Sequence, residues 1–432
     1  MTDIRFCLML FFTWCLMVSS VYADPFMSYP GTRAKAMGGA FCGIADDASA
    51  VWYNPAGIAE GESFDFVVDW MESISQDTST KGDTLDSSQY GVDPATLDNE
   101  ETKLFVAIKW SHRFGQKFVQ NVKRSKAGRK VDWGDTLNDT EKASNGYAFY
   151  YISPYTIDWY FPPQYNLDET VGNFREDMNI YGFAMAFSSH NDRIKYGFTL
   201  EYLNIKYDTD ELYRWYKNDL SQYYNLKKIQ TDYNHAYGFS GSLGILGILY
   251  NNDRHSFRVK FGGTYRFNSS CSADTGEAKN SAESIDINIS EKISDQLVFS
   301  KPSSYDIGFS LSKSFTSLRS AFLFAVQYGE TDWSQSNDTI ENKYTKSSMG
   351  AEWQIALKND FRIAFRTGLY TSEASKSDQG WPDVTGLTWG IGTLIYENIG
   401  IDCTYEFRNI SFEGTESEDI SLLSLALTMT SF

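Results

Sequence analysis

The sequence predicts an all-β fold: a transmembrane antiparallel β-barrel of about 14 strands. Three observations predict it. Aromatic residues make up 16% of the 432 residues, with 28 Tyr, 30 Phe and 11 Trp, yet mean hydropathy is −0.38. A chain that is rich in rings and polar overall suits a lipid-facing belt with aromatic girdles better than a soluble core. Second, the chain repeats runs of alternating apolar and polar residues about ten long, which spans a bilayer when the strand is tilted. Third, short and long connections between the runs alternate, as they do in single-chain outer-membrane barrels with an even strand count.

Residues 1–23 read as a secretory leader. Arg5 precedes the apolar stretch Phe6–Val21, and Val21-Tyr22-Ala23 supplies a small-residue cleavage site before Asp24. Residues 24–60 are expected to form a plug segment and residues 61–432 the barrel. The three cysteines beyond the leader, Cys42, Cys271 and Cys403, lack metal-site spacing, so no metal, cofactor or disulfide framework is implied. A formal net charge of −18 disfavours nucleic acid as a partner.

The runs fall at 62–72, 103–114, 145–156, 178–188, 194–207, 234–249, 256–267, 302–313, 319–328, 344–357, 361–371, 384–396, 401–410 and 419–431. In the fifth, Ile194, Tyr196, Phe198, Leu200 and Tyr202 share one face, opposite Lys195, Gly197, Thr199 and Glu201. Phe257, Val259, Phe261, Tyr265 and Phe267 likewise oppose Arg258, Lys260, Thr264 and Arg266. Rings on one side and charges on the other place lipid outside and a wet lumen inside. Short breaks are expected at 189–193, 251–254, 314–318, 358–360 and 397–400, and long polar ones at 73–102, 208–233, 268–301 and 329–343. Two features break the rhythm. The basic stretch 115–144 is long for a periplasmic turn, and Leu423, Leu425, Leu427 and Met429 are out of phase with the terminal Phe432.

The N-terminal segment is built of small residues and tight turns. Gly38-Gly39-Ala40 permits close backbone packing. Asp46 or Asp47 can cap a short helix, Ala48–Tyr53, that stops before Pro55. Gly31, Arg33, Gly38, Gly39, Ala40, Phe41, Ala45, Asp46, Asp47, Ala50, Asn54, Pro55, Ala56 and Gly57 stand in the order of a known hatch. This segment resembles the N-terminal hatch of the FadL-like outer-membrane transporters of hydrophobic compounds, whose relatives include PorV-like proteins. The resemblance implies a gating hatch (Gly38, Gly39, Asp46, Asp47, Asn54, Pro55, Ala56, Gly57) that blocks the lumen and shifts when a hydrophobic ligand arrives. It also implies lateral release through a kinked third strand, for which Pro154 is the candidate because proline gives no ladder hydrogen bond. Pro154 equally marks a strand end.

The same resemblance implies an outer-membrane location, a leader-dependent route through the barrel-assembly machinery, contact with outer-membrane lipid, and a hydrophobic small-molecule partner such as a fatty acid. Phe41 and Trp52 are candidates for lining an apolar pocket, or for wedging the plug. Arg258, Arg362 and Arg366, with Lys260 and Arg266, face the lumen. They can receive a carboxylate, since arginine forks onto carboxylates, or balance Glu201, Asp402 and Glu406. A PorV-like role in protein secretion and a structural or adhesive porin are the competing functions. Catalysis has little support, because His112, His190, His235 and His255 lack a nucleophile motif.

Overall fold

Each alternating run becomes one stave of a closed ring. The computed structural model describes residues 30–60, 64–80, 103–114, 143–161, 168–189, 192–217, 223–252, 256–273, 279–281, 301–332, 334, 343–358, 361–374, 383–395, 398–411 and 416–431. The expected leader, the basic stretch 115–142 and Phe432 lie outside them.

Sixteen strands make one antiparallel sheet. They are β1 (Phe64–Thr80), β2 (Lys103–Phe114), β3 (Ala143–Phe161), β4 (Asp168–Ser188), β5 (Ile194–Lys217), β6 (Tyr223–Asn252), β7 (Phe257–Arg266), β8 (Ser270–Ala273), β9 (Lys279–Ser281), β10 (Ser303–Phe315), β11 (Ser320–Asp332), β12 (Lys343–Lys358), β13 (Phe361–Ala374), β14 (Asp383–Ile395), β15 (Ile399–Ser411) and β16 (Glu416–Ser431). Fourteen of them pair in sequence order around the ring, closed by β1 against β16. The short β8 and β9 pair with one end of β6. All fourteen runs of the sequence are therefore strands.

The expected long connections are corrected in part, since 73–80 continues β1 and 329–332 continues β11. Residues 208–233 are mostly strand: β5 continues to Lys217 and β6 begins at Tyr223. Residues 157–161 and 168–177 extend β3 and β4 as a paired ribbon. Alternation of hydropathy ends where a strand leaves the apolar layer, but backbone pairing does not, so period-2 patterning under-reads these ends. At one rim of the ring, the lower, successive strands are separated by few residues, two between β12 and β13, and at the other, the upper, by more.

Side chains sort as the alternation requires. Leu200 is 62% exposed and Phe239 72%, and Trp353, Phe365, Trp389 and Ile391 also point outward. Neighbouring outward rings meet across strands, with Phe149 and Phe183 centroids 5.0 Å apart and Trp389 stacked on Tyr405 at 6.4 Å. Leu425, Leu427 and Met429 join this outward face. In water such a surface would be a severe liability; in hydrocarbon it is the favoured one.

The inner face departs from the expected wet lumen. Lys195, Thr199, Glu201 and Arg266 do point inward, yet all are buried, because residues 30–60 fill the ring at their level. Toward the upper rim the inner wall turns apolar. Phe105, Ile152, Met178, Ile180, Leu203 and Ile205 are buried on β2–β5, and Met71, Val384, Ile410, Ile420 and Leu422 on β1 and β14–β16. These runs read as apolar on both faces, which period-2 analysis assigns to one face only.

Candidate functional site

The plug consists of two single-turn helices, α1 (Thr32–Lys35) and α2 (Ala50–Tyr53), and a 3-10 helix, Pro55–Ala59. Their small residues keep the segment narrow enough to thread the ring. Between α1 and α2 the chain reverses at Gly38 and Gly39, whose φ angles of 63° and 75° lie in the left-handed region that glycine adopts without steric cost.

The expected cap is displaced. The helix is Ala50–Tyr53, not Ala48–Tyr53, and its N-cap Ser49 makes no side-chain cap bond. Asp47 instead accepts from the Ser49 amide at 2.9 Å and its hydroxyl at 2.6 Å. That is an Asx-type turn, in which a short carboxylate satisfies the backbone two residues on. α2 ends at Asn54, before Pro55, as the proline requires. Asn54 ties the plug together: Nδ2 donates to the Cys42 carbonyl at 3.0 Å and the Ile245 carbonyl of β6 at 2.8 Å. Its Oδ1 accepts from the Ala56 amide at 3.2 Å. Gly57 presses so closely on Ala45 that a Cβ would sit 1.8 Å from the Ala45 oxygen.

Barrel side chains satisfy the plug backbone from all around the ring. Thr404 of β15 donates to the Thr32 carbonyl at 2.8 Å, Thr388 of β14 to Ala36 at 3.1 Å, and Ser310 of β10 to Gly43 at 2.7 Å. Gln327 of β11 accepts from the amides of Phe41 and Cys42 at 3.0 and 2.8 Å. Thr264 of β7 donates to Tyr53 at 2.8 Å, and Ser144 of β3 to Ala59 at 2.8 Å. A buried irregular segment needs this, since each unpaired backbone group would cost on the order of 1–3 kcal/mol. Inward glycines let the two surfaces touch. A Cβ on Gly262 would lie 2.0 Å from the Cys42 oxygen, and one on Gly368 2.0 Å from the Gly38 nitrogen.

Ion pairs fasten the plug below and beside these contacts. Arg33 reaches Asp46 at 2.6 Å, Asp47 at 3.2 Å and Glu352 of β12 at 2.9 Å. Burial opposes the Arg33 charge, but the three carboxylates outweigh it and raise its pKa well above the ordinary value. Asp47 moves up, because burial and the neighbouring Asp46 charge outweigh the help of Arg33. Glu60 lies between Lys260 at 2.8 Å and Lys195 at 3.0 Å. Its burial favours the neutral acid, yet the two ammonium groups hold it well below the usual carboxylate range. Burial pushes the Cys42 thiol up to about 12.

The remaining sequence candidates distribute as follows. Phe41 and Trp52 are fully buried in the plug: Phe41 meets Tyr53 edge-on at 5.4 Å, and Trp52 lies beneath Arg266 at 5.4 Å and Lys301 at 5.7 Å. Arg366 is paired with Glu352 at 2.5 Å and with Asp402, so one expected partner is present and one is new. The other expected partners pair elsewhere, Glu201 with Lys301 and Glu406 with Arg408. Arg362 lines a cavity of about 190 Å³ under the plug, together with Arg33, Asp47, Arg366 and Asp402. Arg258 sits at the lower rim, 3.4 Å from Asn251. Pro154 lies where the β3–β4 register slips, between Ile152 and Tyr155. The β2–β3 ladder also stops there, at Phe105–Ile152, although β2 runs on to Lys103.

Sequence reasoning missed Glu352, Gln327, Lys301 and Asp69, and missed the glycines as a group. A signal existed for the glycines: Gly197, Gly262, Gly368 and Gly390 all fall on the polar face of their strands. For the buried ion pairs there was none, because Arg33 and Glu352 are 319 residues apart. Among the histidines, His112 stands on β2 near the lower rim, while the side chains of the other three lie outside the described residues.

No protein-family model matches the chain, and no curated protein does. Solved structures do share its fold. The chain is similar to the CymD monoaromatic hydrocarbon channel, with 13% identity and a TM-score of 0.54 over 93% of this chain and 97% of that one. It is also similar to the Ralstonia pickettii toluene transporter TbuX, with 13% identity and a TM-score of 0.51 over 93% and 98%. A Pseudomonas aeruginosa FadL homologue matches at 10% identity with a TM-score of 0.52 over 95% and 99%. The fold expected from the hatch motif is thus the fold of these channels, along their whole length.

Proposed function

We propose that this chain is an outer-membrane channel that admits hydrophobic small molecules past a movable plug. One observation carries the reading: the inner wall above the plug is apolar and continuous with the plug's own ring cluster. Phe41, Trp52 and Tyr53 belong to one buried cluster with Phe105, Ile152, Ile180, Leu203 and Ile205. A water-filled pore has no use for such a wall, because polar and charged lumens are what keep water in a channel. An apolar solute has every use for it, since each buried CH₂ gains about 0.8 kcal/mol over water. The fold shared with hydrocarbon and toluene channels supports the same reading.

An uncharged ligand fits better than a fatty acid. A carboxylate entering from above would need a cation to receive it, and the buried cations beside Trp52 are already engaged: Arg266 with Asp306, Lys301 with Glu201. A neutral one-ring hydrocarbon asks for none. The hatch residues named from the sequence then act as the gate, and the interrupted β2–β3 ladder at Pro154 is where the ligand leaves sideways into the bilayer. Secretory export and insertion by the barrel-assembly machinery complete the picture.

The test is uptake of labelled toluene and labelled oleate by a bacterial host expressing the chain, against the same host carrying an empty vector. Uptake of toluene above the control, exceeding that of oleate, is expected. Control-level uptake of both would sink the proposal, and a co-purifying secretion partner alongside that result would favour the secretion role.

A further inference from the structure

The first turn of the plug and the weak point of the wall share one residue. Asp69 is on β1, 2% exposed, and faces inward. Its Oδ2 accepts from the Gly31 amide at 2.7 Å, its Oδ1 from the Thr32 hydroxyl, and the Lys35 ammonium stands 3.6 Å away. Three polar groups at the start of the plug therefore meet this one carboxylate, while the Lys35 ammonium also donates to Ser424 of β16 at 3.2 Å. Two residues further along β1, Met71 pairs with Lys103, the last rung of the β1–β2 ladder. On its other side β2 makes its last rung with β3 two residues earlier, at Phe105–Ile152, so the β2–β3 ladder stops short of Ser153 and Pro154. A small cleft opens behind this point, and Lys35, Asp69, Phe105, Ile152 and Ser153 line it together with Pro30 of the plug.

We propose that Asp69 is the positioning residue that couples the plug to the sideways opening, holding the plug's first turn against the cleft until a ligand displaces it. The inference rests on the channel reading above and adds to it the residue through which plug and wall communicate. The chemistry suits a latch. Two hydrogen bonds and one ion pair on one buried carboxylate make a strong, charge-assisted contact, yet all three groups come from a five-residue stretch, so the plug can release them in a single movement. Ligand settling against the apolar inner wall competes for the space of that stretch. With the contact gone, Pro30 and α1 no longer close the cleft. Thr404 holds the same turn from β15, by one neutral bond to the Thr32 carbonyl, on the side of the ring away from the cleft.

Cys42 supplies a native reporter. It is buried in the plug and its thiol is pushed up to about 12, so a water-soluble maleimide reacts with it only when the plug lifts. The full-length chain with Cys7→Ser, Cys15→Ser, Cys271→Ser and Cys403→Ser, so that Cys42 is its one thiol, is reconstituted in liposomes and labelled with and without toluene. Without Asp69→Asn, labelling is expected to be slow and to speed up with toluene. With Asp69→Asn, labelling without toluene rises about tenfold or more, the factor for one lost charge-assisted hydrogen bond, and toluene adds little. Asp69→Glu restores the toluene response in part, and Thr404→Val leaves it intact. Unchanged labelling and an unchanged toluene response in Asp69→Asn overturn the coupling, as does an equal effect of Thr404→Val. A reporter chain indifferent to toluene while Asp69 is intact would instead count against the channel reading, so the two failures are separable. Electrophoretic heat-modifiability of each variant shows that the barrel itself has folded.

Discussion

Arg266 of β7 donates from Nε and Nη2 to the carbonyl of Trp52, at 3.1 and 2.7 Å, and from Nη1 to Asp306 of β10 at 2.5 Å. One guanidinium thus caps the C-terminal part of α2, neutralises a buried carboxylate and covers the indole ring. Five rigid donors in a planar fork allow this, where a lysine would reach only one partner well. Arg266→Ala leaves the Asp306 charge with Gln327 alone and orphans the Trp52 carbonyl. Breaking a buried pair from one side costs about 3–5 kcal/mol. The expected outcome is a clearly lower heat-modifiability midpoint in detergent, with Arg266→Lys intermediate.

Adjacent glycines of β7 make a sharper test of the plug's fit. Gly262 points inward, where a methyl group would lie 2.0 Å from the Cys42 oxygen; Gly263 points outward, with its nearest neighbour, Ile245 Cγ2, at 3.3 Å. Gly262→Ala must therefore push the plug, whereas Gly263→Ala need shift only a lipid-facing side chain. In planar bilayers Gly262→Ala should raise single-channel conductance and Gly263→Ala should not. Equal, unchanged conductance in both would mean that the plug tolerates displacement without opening.

How far the sequence discloses this architecture follows from which forces are local. The staves are legible because each strand sorts its own side chains between lipid and lumen, a decision made every two residues. The plug is legible for a similar reason: Gly38-Gly39 and Asn54-Pro55 dictate their own backbone. The extended ends of β4, β5 and β6 are hidden, since charged residues such as Asp208, Asp210, Glu211 and Arg214 interrupt the alternation of apolar and polar residues there. Arg33 with Glu352 and Glu60 with Lys260 are hidden for a different reason. Their charges are visible, but the choice of partner is made by closure of the whole ring.

Glu60 gives the site a defined pH response. Its folded-state pKa lies below the usual carboxylate range, whereas in an unfolded chain it sits near the ordinary value of about 4.3. A depressed carboxylate stabilises above the unfolded pKa and loses that contribution as pH falls through the folded one. Glu60→Gln should therefore lower the unfolding free energy at pH 7, by about 3–5 kcal/mol for a half-removed buried pair. The gap between the two proteins should narrow steadily below about pH 4. A gap that stays constant from pH 7 to pH 3 would show that Lys195 and Lys260 do not set the Glu60 charge.

The last prediction concerns the outer face, on which the membrane reading stands. Phe365 and Arg366 are neighbours on β13, one 47% exposed and the other buried against Glu352 and Asp402. If hydrocarbon bathes the outer face, a charge is costly at the first position and required at the second. Phe365→Arg should destabilise the barrel by about 2–4 kcal/mol, the cost of a cation near the bilayer midplane. Arg366→Phe should fail for the opposite reason, taking the guanidinium away from Asp402 and leaving Glu352 with Arg33 as its cation. Equilibrium unfolding in lipid bilayers and in water-soluble conditions separates the cases. In a soluble protein Phe365→Arg would be harmless or helpful, since an exposed ring gains nothing from water. Loss of stability in bilayers from both substitutions, made side by side on one strand, requires lipid outside and a packed polar interior.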